Sequence, residues 1–260
     1  MSSYEALLVS LNRRFRKGLT LQASYTWAKT LTDADSALPF INGGVGQEQN
    51  PGDLHKEKAL SIQDIPQTFV LSWIYQLPFG SGRKWMNTGW ASRVIGGWDI
   101  GSVQRYMSGE PISFGCASGI PGWDNCIYFT RVVGRSLKSA AYASGNLNLS
   151  NGDVMFNRNA FVDLNLPSAR NGGAFAFGNI PRVTGEIRNW PYYNEDFSIT
   201  KNVPIRERLT FSLRLELLNA FNRHVFSIPD TEPNDGSNFG HPTGTIDTPR
   251  NVQILGRLTF

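Results

Sequence analysis

Two charged residues, Arg214 and Glu216, stand two positions apart in a run of leucines. Leu213, Leu215 and Leu217 occupy the alternate positions, so in an extended strand the charged side chains point to one face and the leucines to the other. On that polar face the arginine and the glutamate could contact a bound substrate or another part of the protein, or they could form an ion pair or remain as solvated charges. The simpler interpretation is an ion pair or solvated charges, and the contact is kept as its alternative.

The two cysteines could provide a covalent link. Cys116 and Cys126 have nine residues between them, including Gly119, Pro121 and Gly122, as expected for a small loop. In an oxidising compartment a disulfide would close this loop, and two free thiols are the alternative. Two cysteines without a neighbouring histidine do not make a zinc site.

The acidic residues and histidines form no centre that could carry catalysis. Segment 230–236 has the composition of a calcium loop, but its sixth position is Asp235, the glycine comes one residue late and the twelfth position is His241. The histidines have neither metal-ligand spacing nor a Ser-His-Asp arrangement; they are His55, His224 and His241. The chain is therefore predicted to be no enzyme and to hold no metal or cofactor.

Composition excludes several classes of protein. The 260 residues are 40% apolar and 18% charged with a formal net charge of +4, which is unlike a disordered chain, a coiled coil or collagen. The basic residues are scattered, and the densest cluster, at 13–17, lies at a predicted turn, so no nucleic-acid partner is expected. No apolar window is long enough for a transmembrane helix, and residues 1–5 do not resemble a signal peptide.

Alternation of apolar and polar residues is the main structural pattern. It is clearest in 19–27, 67–77, 209–217 and 252–260, and it predicts strands with one apolar and one polar face. Further strands are predicted in 4–15, 95–107 and 193–203, whereas helical periodicity is nowhere sustained over a comparable length. The chain is predicted to be all-β with about seven strands.

The length and the connections of these strands indicate a membrane protein. Runs of about 9–13 residues exceed the usual soluble strand and match the ~9–11 residues that cross a bilayer when tilted. Aromatic residues end several apolar faces: Tyr25, Trp27, Trp73, Tyr75, Trp98, Tyr106 and Phe260. Short connections alternate with long ones at 30–65, 108–192 and 222–250, as in a transmembrane antiparallel β-barrel with short periplasmic turns and long extracellular loops. A soluble β-sandwich accounts poorly for both features.

Several segments resemble a known family. They are Tyr4–Leu7, Asn12–Phe15, Gly18–Thr20, Ala23–Lys29, Gly96–Trp98, Ser108–Pro111, Phe156–Phe161 and Leu217–Arg223. In order and spacing they are similar to the C-terminal barrel portion of TonB-dependent outer-membrane receptors of the Oar-like, carboxypeptidase-regulatory type. The resemblance covers nearly the whole chain and implies a barrel of about 22 strands, closed by a plug and energised through the TonB complex of the inner membrane.

The resemblance also implies how the chain is organised. We expect residues 1–260 to be a C-terminal part of such a receptor in the outer membrane, with the plug and N-terminal domains absent, because about seven strands cannot close a barrel. The terminal strand, with Leu258 and Phe260, resembles the sequence that the barrel-assembly machinery reads. Arg214 and Glu216 would then line the lumen, and the outer face would contact outer-membrane lipid.

The expected function is substrate binding and TonB-energised transport across the outer membrane, with long loops such as 108–192 capturing the ligand. Two alternatives are kept. One is a passive porin or adhesin-like barrel without TonB coupling, and the other is a soluble, secreted, carbohydrate-binding β-sandwich that uses Trp123 and Trp190.

Overall fold

The computed structural model describes residues 1–35, 48–170, 172–206 and 208–260. Seven of its strands are long: β1 (Ser3–Arg16), β2 (Leu19–Thr32), β4 (Gln67–Gln76), β5 (Trp98–Met107), β10 (Tyr192–Arg206), β11 (Leu209–Leu218) and β12 (Asn251–Thr259). Five are short: β3 (Ala59–Leu60), β6 (Pro111–Ile112), β7 (Thr130–Arg131), β8 (Phe161–Val162) and β9 (Thr184–Arg188). The helices are α1 (Gly89–Ile95), α2 (Ala140–Ala143) and α3 (Pro167–Arg170), with single 3₁₀ turns at Leu149–Asn151 and Arg158–Ala160.

The long strands form one antiparallel sheet in the order β1-β2-β4-β5-β10-β11-β12. Each long strand pairs with the long strand that follows it in the chain, as in a β-meander. All seven strands predicted from alternation are confirmed, and most are longer than predicted by one to five residues at an end. The predicted start of the fourth strand at residue 95 is wrong, because α1 occupies 89–95 and the strand begins at Trp98.

The register places apolar side chains on one face of the sheet and polar ones on the other. Leu7 lies opposite Trp27, Leu21 opposite Trp73, and Leu215 opposite Ile254. We call this side the apolar face and the opposite side, which carries pairs such as Ser10 with Ser24, the polar face. Because one residue of slip would exchange the two faces, the alternation fixes the register.

The sheet is open. β1 pairs only with β2 and β12 pairs only with β11, so in the described part of the chain each of these strands leaves one edge without a partner. The backbone groups of an open edge cannot be left unsatisfied in an apolar medium. These two edges are therefore the places where further strands must pair if the sheet is to close.

Three connections lie at one end of the sheet, which we call the turn end; the first and the last are short, whereas the one between β4 and β5 spans 77–97. β1 and β2 are joined by Lys17 and Gly18, whose φ angles of 52° and 84° give a tight two-residue turn of the type that suits hairpins. The predicted end of the fifth strand at residue 203 is wrong, because β10 continues through Pro204 to Arg206. Pro204 is tolerated there because β5 pairs with β10 only as far as Lys201, so no ladder bond on that side needs its missing N–H.

The long connections fold together at the other end of the sheet into a unit that we call the lobe, formed by the described residues of 33–66, 108–191 and 219–250. Its core is rich in aromatic and branched side chains: Ile112, Phe114, Ala117, Ile127, Phe129, Leu137, Met155, Phe156, Ala160, Ile180, Ile187 and Phe239. Phe114, Phe156 and Phe239 pack with ring centroids 5.1–6.1 Å apart. Among the described residues the main buried core is thus in the connections, and no second layer of strands or helices packs across the sheet there.

Candidate functional site

The polar face is concave near its middle. Side chains from β4, β5, β10 and β11 line a groove of about 240 Å³ there, among them Ser72, Asp196, Ser198, Arg214 and Glu216. Period-two alternation brings these residues to one face, and the antiparallel order brings their strands together. The groove offers hydroxyl, carboxylate and guanidinium groups, which could form hydrogen bonds to a polar solute.

The structure places Arg214 and Glu216 on this face, as the alternation predicts. The Arg214 Nε lies 2.9 Å from the Glu216 Oε1, so the two side chains pair with each other along one strand. About half of the arginine side chain remains exposed to the groove. The geometry therefore contains the ion pair that the sequence suggested as the simpler interpretation, and it leaves part of the guanidinium accessible.

A covalent bond closes one loop of the lobe. Cys116 and Cys126 form a disulfide, and the backbone N–H of Ala117 donates to the Ile127 carbonyl at 2.7 Å beside it. The neighbouring Ser118 donates from both its backbone N–H and its Oγ to the Asp163 carboxylate, at 2.8 and 2.7 Å. Burial raises the pKa of Asp163, but these hydrogen bonds outweigh it and lower the pKa overall.

Buried arginines hold the lobe onto the end of β2. Arg182 donates to the Asp35 carboxylate and, at 2.8 Å, to the carbonyl of Thr32, the last residue of β2. The side chains of Arg182 and Asp35 are 0% and 4% exposed, so the pair is desolvated. These contacts join residues from two connections and one strand, which fixes the position of the lobe relative to the sheet.

A second arginine makes a parallel link. Arg188 donates to the Asp64 carboxylate at 2.7 Å and to the Asp64 carbonyl at 3.0 Å, and the other oxygen of that carboxylate accepts the Thr30 N–H at 2.6 Å. A third link lies on β10, where Arg223 makes a bidentate pair with Glu195 at 3.0 and 3.1 Å. Such planar pairs fix both position and orientation.

The first connection is also bonded to the second through a buried polar cluster. Tyr128 donates from its hydroxyl to Glu57 at 2.6 Å, while the Gln49 Oε1 accepts the N–H groups of Tyr128 and Gly178 at 2.9 and 2.8 Å. Burial, together with the Glu57 carboxylate, raises the pKa of Tyr128 far above the usual value of a tyrosine. The phenol therefore stays protonated and remains a donor at physiological pH.

The two tryptophans proposed for carbohydrate binding are used in packing. Trp123 donates from its indole nitrogen to the Gln49 carbonyl at 3.0 Å and lies 5.7 Å from the Phe177 ring. Trp190 packs against the buried core and lies 5.2 Å from the ring of Phe226. Trp123 nevertheless remains 37% exposed, and in the described residues the long strands form one sheet rather than the two packed sheets of a sandwich.

The chain's last residues lie at the turn end of the open edge. Leu258 is opposite Phe211 on the apolar face, and Phe260 follows it with 97% of its surface exposed. The final aromatic residue therefore lies at the end of the sheet that carries the tight turn between β1 and β2.

The acidic loop contains no metal centre. Burial and the charges of its neighbours raise the pKa of Glu232, whose carboxylate packs over the backbone of Gly115 near Asp230 and Asp235. Within the described ranges no group of three or more His, Cys, Asp or Glu residues could hold a metal ion. In the same part of the chain, no helix is long and apolar enough to cross a membrane.

Sequence reasoning did not find Arg182, Arg188 or Arg223, which organise the lobe. Arg182 and Arg223 lie in irregular segments and Arg188 ends the short strand β9, and their partners are 28–147 residues away. No local pattern marks such a residue, because the pairing depends on how distant connections pack. The alternation, by contrast, did place Arg214 and Glu216 on a shared face.

Comparison with known proteins identifies a family for the chain. A family model described as an outer membrane beta barrel domain matches residues 1–253, which is nearly the whole chain. No curated protein matches the chain. The matched residues include the lobe, the first six long strands and the first residues of β12.

Proposed function

Because the chain belongs to the outer membrane β-barrel domain family, we propose that its sheet forms part of the wall of a TonB-dependent receptor. The family places the protein in the outer membrane, with the apolar face toward lipid and the polar face toward the barrel interior. The proposal adds that transport is energised by the TonB complex through a plug, as in Oar-like receptors. It assigns the chain no catalytic step and no cofactor.

The short and long connections give the orientation. In outer-membrane barrels the tight turns face the periplasm and the long connections face the outside. The turn end is therefore periplasmic and the lobe extracellular. Phe260 then lies on the periplasmic side, where the proposed contact with the barrel-assembly machinery would be made, and nucleic acid is not among the expected partners.

The single observation that carries the receptor proposal is the lobe. A passive pore requires little beyond its wall, whereas this chain builds a packed core, a disulfide and three buried or half-buried ion pairs on the extracellular side. Rigid loops on a rigid scaffold lower the entropy that a binding site loses on capturing its ligand. The open edges of the sheet also support a wall that is completed by further strands.

In the proposed mechanism the lobe binds the substrate outside the cell. Movement of the plug, driven by TonB, then opens a path along the polar face, where Arg214, Glu216 and Asp196 replace part of the solute's hydration shell. Their charges are partly compensated within the wall, by the Arg214–Glu216 pair and by the Asn219 N–H that donates to Asp196 at 2.8 Å. A polar solute would therefore slide past without being held tightly.

The test separates a plugged receptor from a passive pore. The complete protein is purified from outer membranes, inserted into planar lipid bilayers and measured for ionic current in potassium chloride. Its binding to the purified periplasmic domain of TonB is measured in the same detergent. The receptor proposal expects binding and no steady current above that of the bare bilayer.

A known open porin in the same bilayer serves as the control for current. A steady current from this protein, with no binding of the TonB domain, would overturn the proposal in favour of a passive pore. Absence of both current and binding would favour an adhesin-like barrel and would equally overturn TonB coupling.

A further inference from the structure

The connection between β4 and β5 differs from the other two at the turn end, because it is long and carries exposed apolar side chains. It runs over 77–97 and contains α1. Trp90 is 80% exposed and Val94 is 59% exposed, while Trp85 and Met86, just before the helix, are each about half exposed. A soluble surface seldom places two tryptophans, a methionine and a valine together in water.

Contacts from the sheet fix where α1 lies. Lys201, on the apolar face of β10, donates from its Nζ to the carbonyls of Arg93 and Val94 at 2.8 and 2.9 Å, and also to that of Gly96. Trp98, on the same face, donates from its indole nitrogen to the Val94 carbonyl at 3.2 Å. A lysine at the last turn also complements the helix dipole. The end of α1 is therefore held on the lipid-facing side of the wall.

The start of the connection packs closely against the end of α1. A Cβ on Gly80 would lie 2.3 Å from the Gly96 Cα, so only glycine allows the two backbones to approach at this crossing. Ser92 faces the crossing and is buried, and it is separated by about half a helical turn from both Trp90 and Val94. Because Ser92 faces the crossing, the side chains of Trp90 and Val94 point away from the protein.

The charges of the connection are all of one sign. Residues 77–97 include Arg83, Lys84 and Arg93 but neither aspartate nor glutamate. Lys84 lies over the ring of Trp85 with its Nζ 5.4 Å from the centroid. The neighbouring hairpins add a net positive charge at the same end of the sheet, since the sequence there has one acidic residue, Glu207, against six basic ones: Arg13, Arg14, Arg16, Lys17, Arg206 and Arg208. Aromatic and basic groups in this combination match the interface of a bilayer with anionic headgroups.

We propose that 77–97 is an interfacial anchor that binds phospholipid of the inner leaflet of the outer membrane. Trp85, Trp90 and Val94 insert between the headgroups, and Lys84 and Arg93 bind their phosphates. The anchor continues the lipid-facing surface of the wall at its periplasmic rim, because Trp98 and Lys201 join the two. It rests on the family membership and does not depend on TonB coupling.

The test compares two valines that are exposed in the fold. V94C places a thiol in the proposed anchor, and V133C places one in the lobe, where Val133 is 97% exposed. Cys116 and Cys126 are bonded to each other, so each variant has one reactive thiol within residues 1–260, and the protein without either substitution gives the background rate. The complete protein is placed in nanodiscs of phosphatidylethanolamine and phosphatidylglycerol, and the rate of reaction with a membrane-impermeant maleimide is measured.

The anchor predicts that V94C reacts at least tenfold more slowly than V133C. If V94C reacts as fast as V133C, the proposal is wrong. It is equally wrong if V94C becomes slow only after addition of a periplasmic protein such as the TonB domain, since a protein would then cover the site.

The part played by charge is tested by adding K84Q and R93Q to V94C. In phosphatidylglycerol nanodiscs the protection should fall by about fivefold for each charge removed, whereas in phosphatidylcholine it should change little. Protection in phosphatidylglycerol that stays the same after K84Q and R93Q would refute phosphate binding by Lys84 and Arg93.

Discussion

Replacement of Arg182 by methionine should loosen the lobe from the sheet. Methionine preserves much of the apolar volume but removes the charge, so the buried Asp35 loses its ionic partner and keeps only the hydrogen bonds from Ser61 and Ile62, and the Thr32 carbonyl loses its donor. Removal of one partner of a buried ion pair costs about 3–5 kcal/mol. The local opening of the lobe should therefore become about a hundredfold to several thousandfold more frequent.

Amide hydrogen exchange of the complete protein in detergent micelles measures this opening. The Ile180 N–H donates to the Phe129 carbonyl at 3.1 Å in the lobe, two residues from the substitution, and serves as the reporter. A matched control is R131Q, which breaks the Arg131–Glu186 pair of 2.8 Å in the same lobe. Because those side chains are 41% and 31% exposed, its loss should cost no more than about 1 kcal/mol.

The double variant R182M/D35L tests the physical reason. If most of the loss in R182M comes from the buried carboxylate without its ionic partner, then removal of that carboxylate should recover part of the stability, and the loss that remains comes from the hydrogen bonds missing at Thr32, Ser61 and Ile62. The reasoning would be refuted if R182M had no larger effect than R131Q. It would also be refuted if the effects of R182M and D35L simply added in the double variant.

Four further predictions concern other parts of the chain. Deletion of Phe260 from the complete protein should lower the yield of heat-resistant, folded protein in the outer membrane, and an unchanged yield would remove its role in assembly. L215R, on the apolar face, should cost about 2–4 kcal/mol of folding stability in lipid vesicles, whereas S198R, on the polar face, should cost much less. C126S should destabilise the lobe by about 2–3 kcal/mol, as read by the same amide exchange under non-reducing conditions. Because the folded lobe raises the pKa of Glu232, ionisation of this residue destabilises the lobe as the pH rises through that pKa. E232Q should thus make the lobe more stable at neutral pH, and the gain should vanish in acid below the ordinary pKa of a glutamate; a gain that persists there would contradict this cause.

The strands and their two faces could be predicted from the sequence because the information is local. A strand repeats every two residues, so Leu213, Leu215 and Leu217 alone show which side meets lipid and which side carries Arg214 and Glu216. The alternation of short and long connections likewise indicates at which end of the sheet each connection lies. These patterns were sufficient for the fold class and for the outer-membrane location.

The lobe and the position of α1 were decided only by the tertiary structure. Arg182 and Asp35 are 147 residues apart, and Lys201 is 105 residues from the Gly96 carbonyl that it contacts. Neither residue stands out in its own segment, because its role depends on which distant backbone groups the folded connections bring to it. The period of two determines which side chains of a strand face lipid and which face the lumen. The packing of irregular segments, in contrast, determines the lobe at one end of the sheet and the position of α1 at the other.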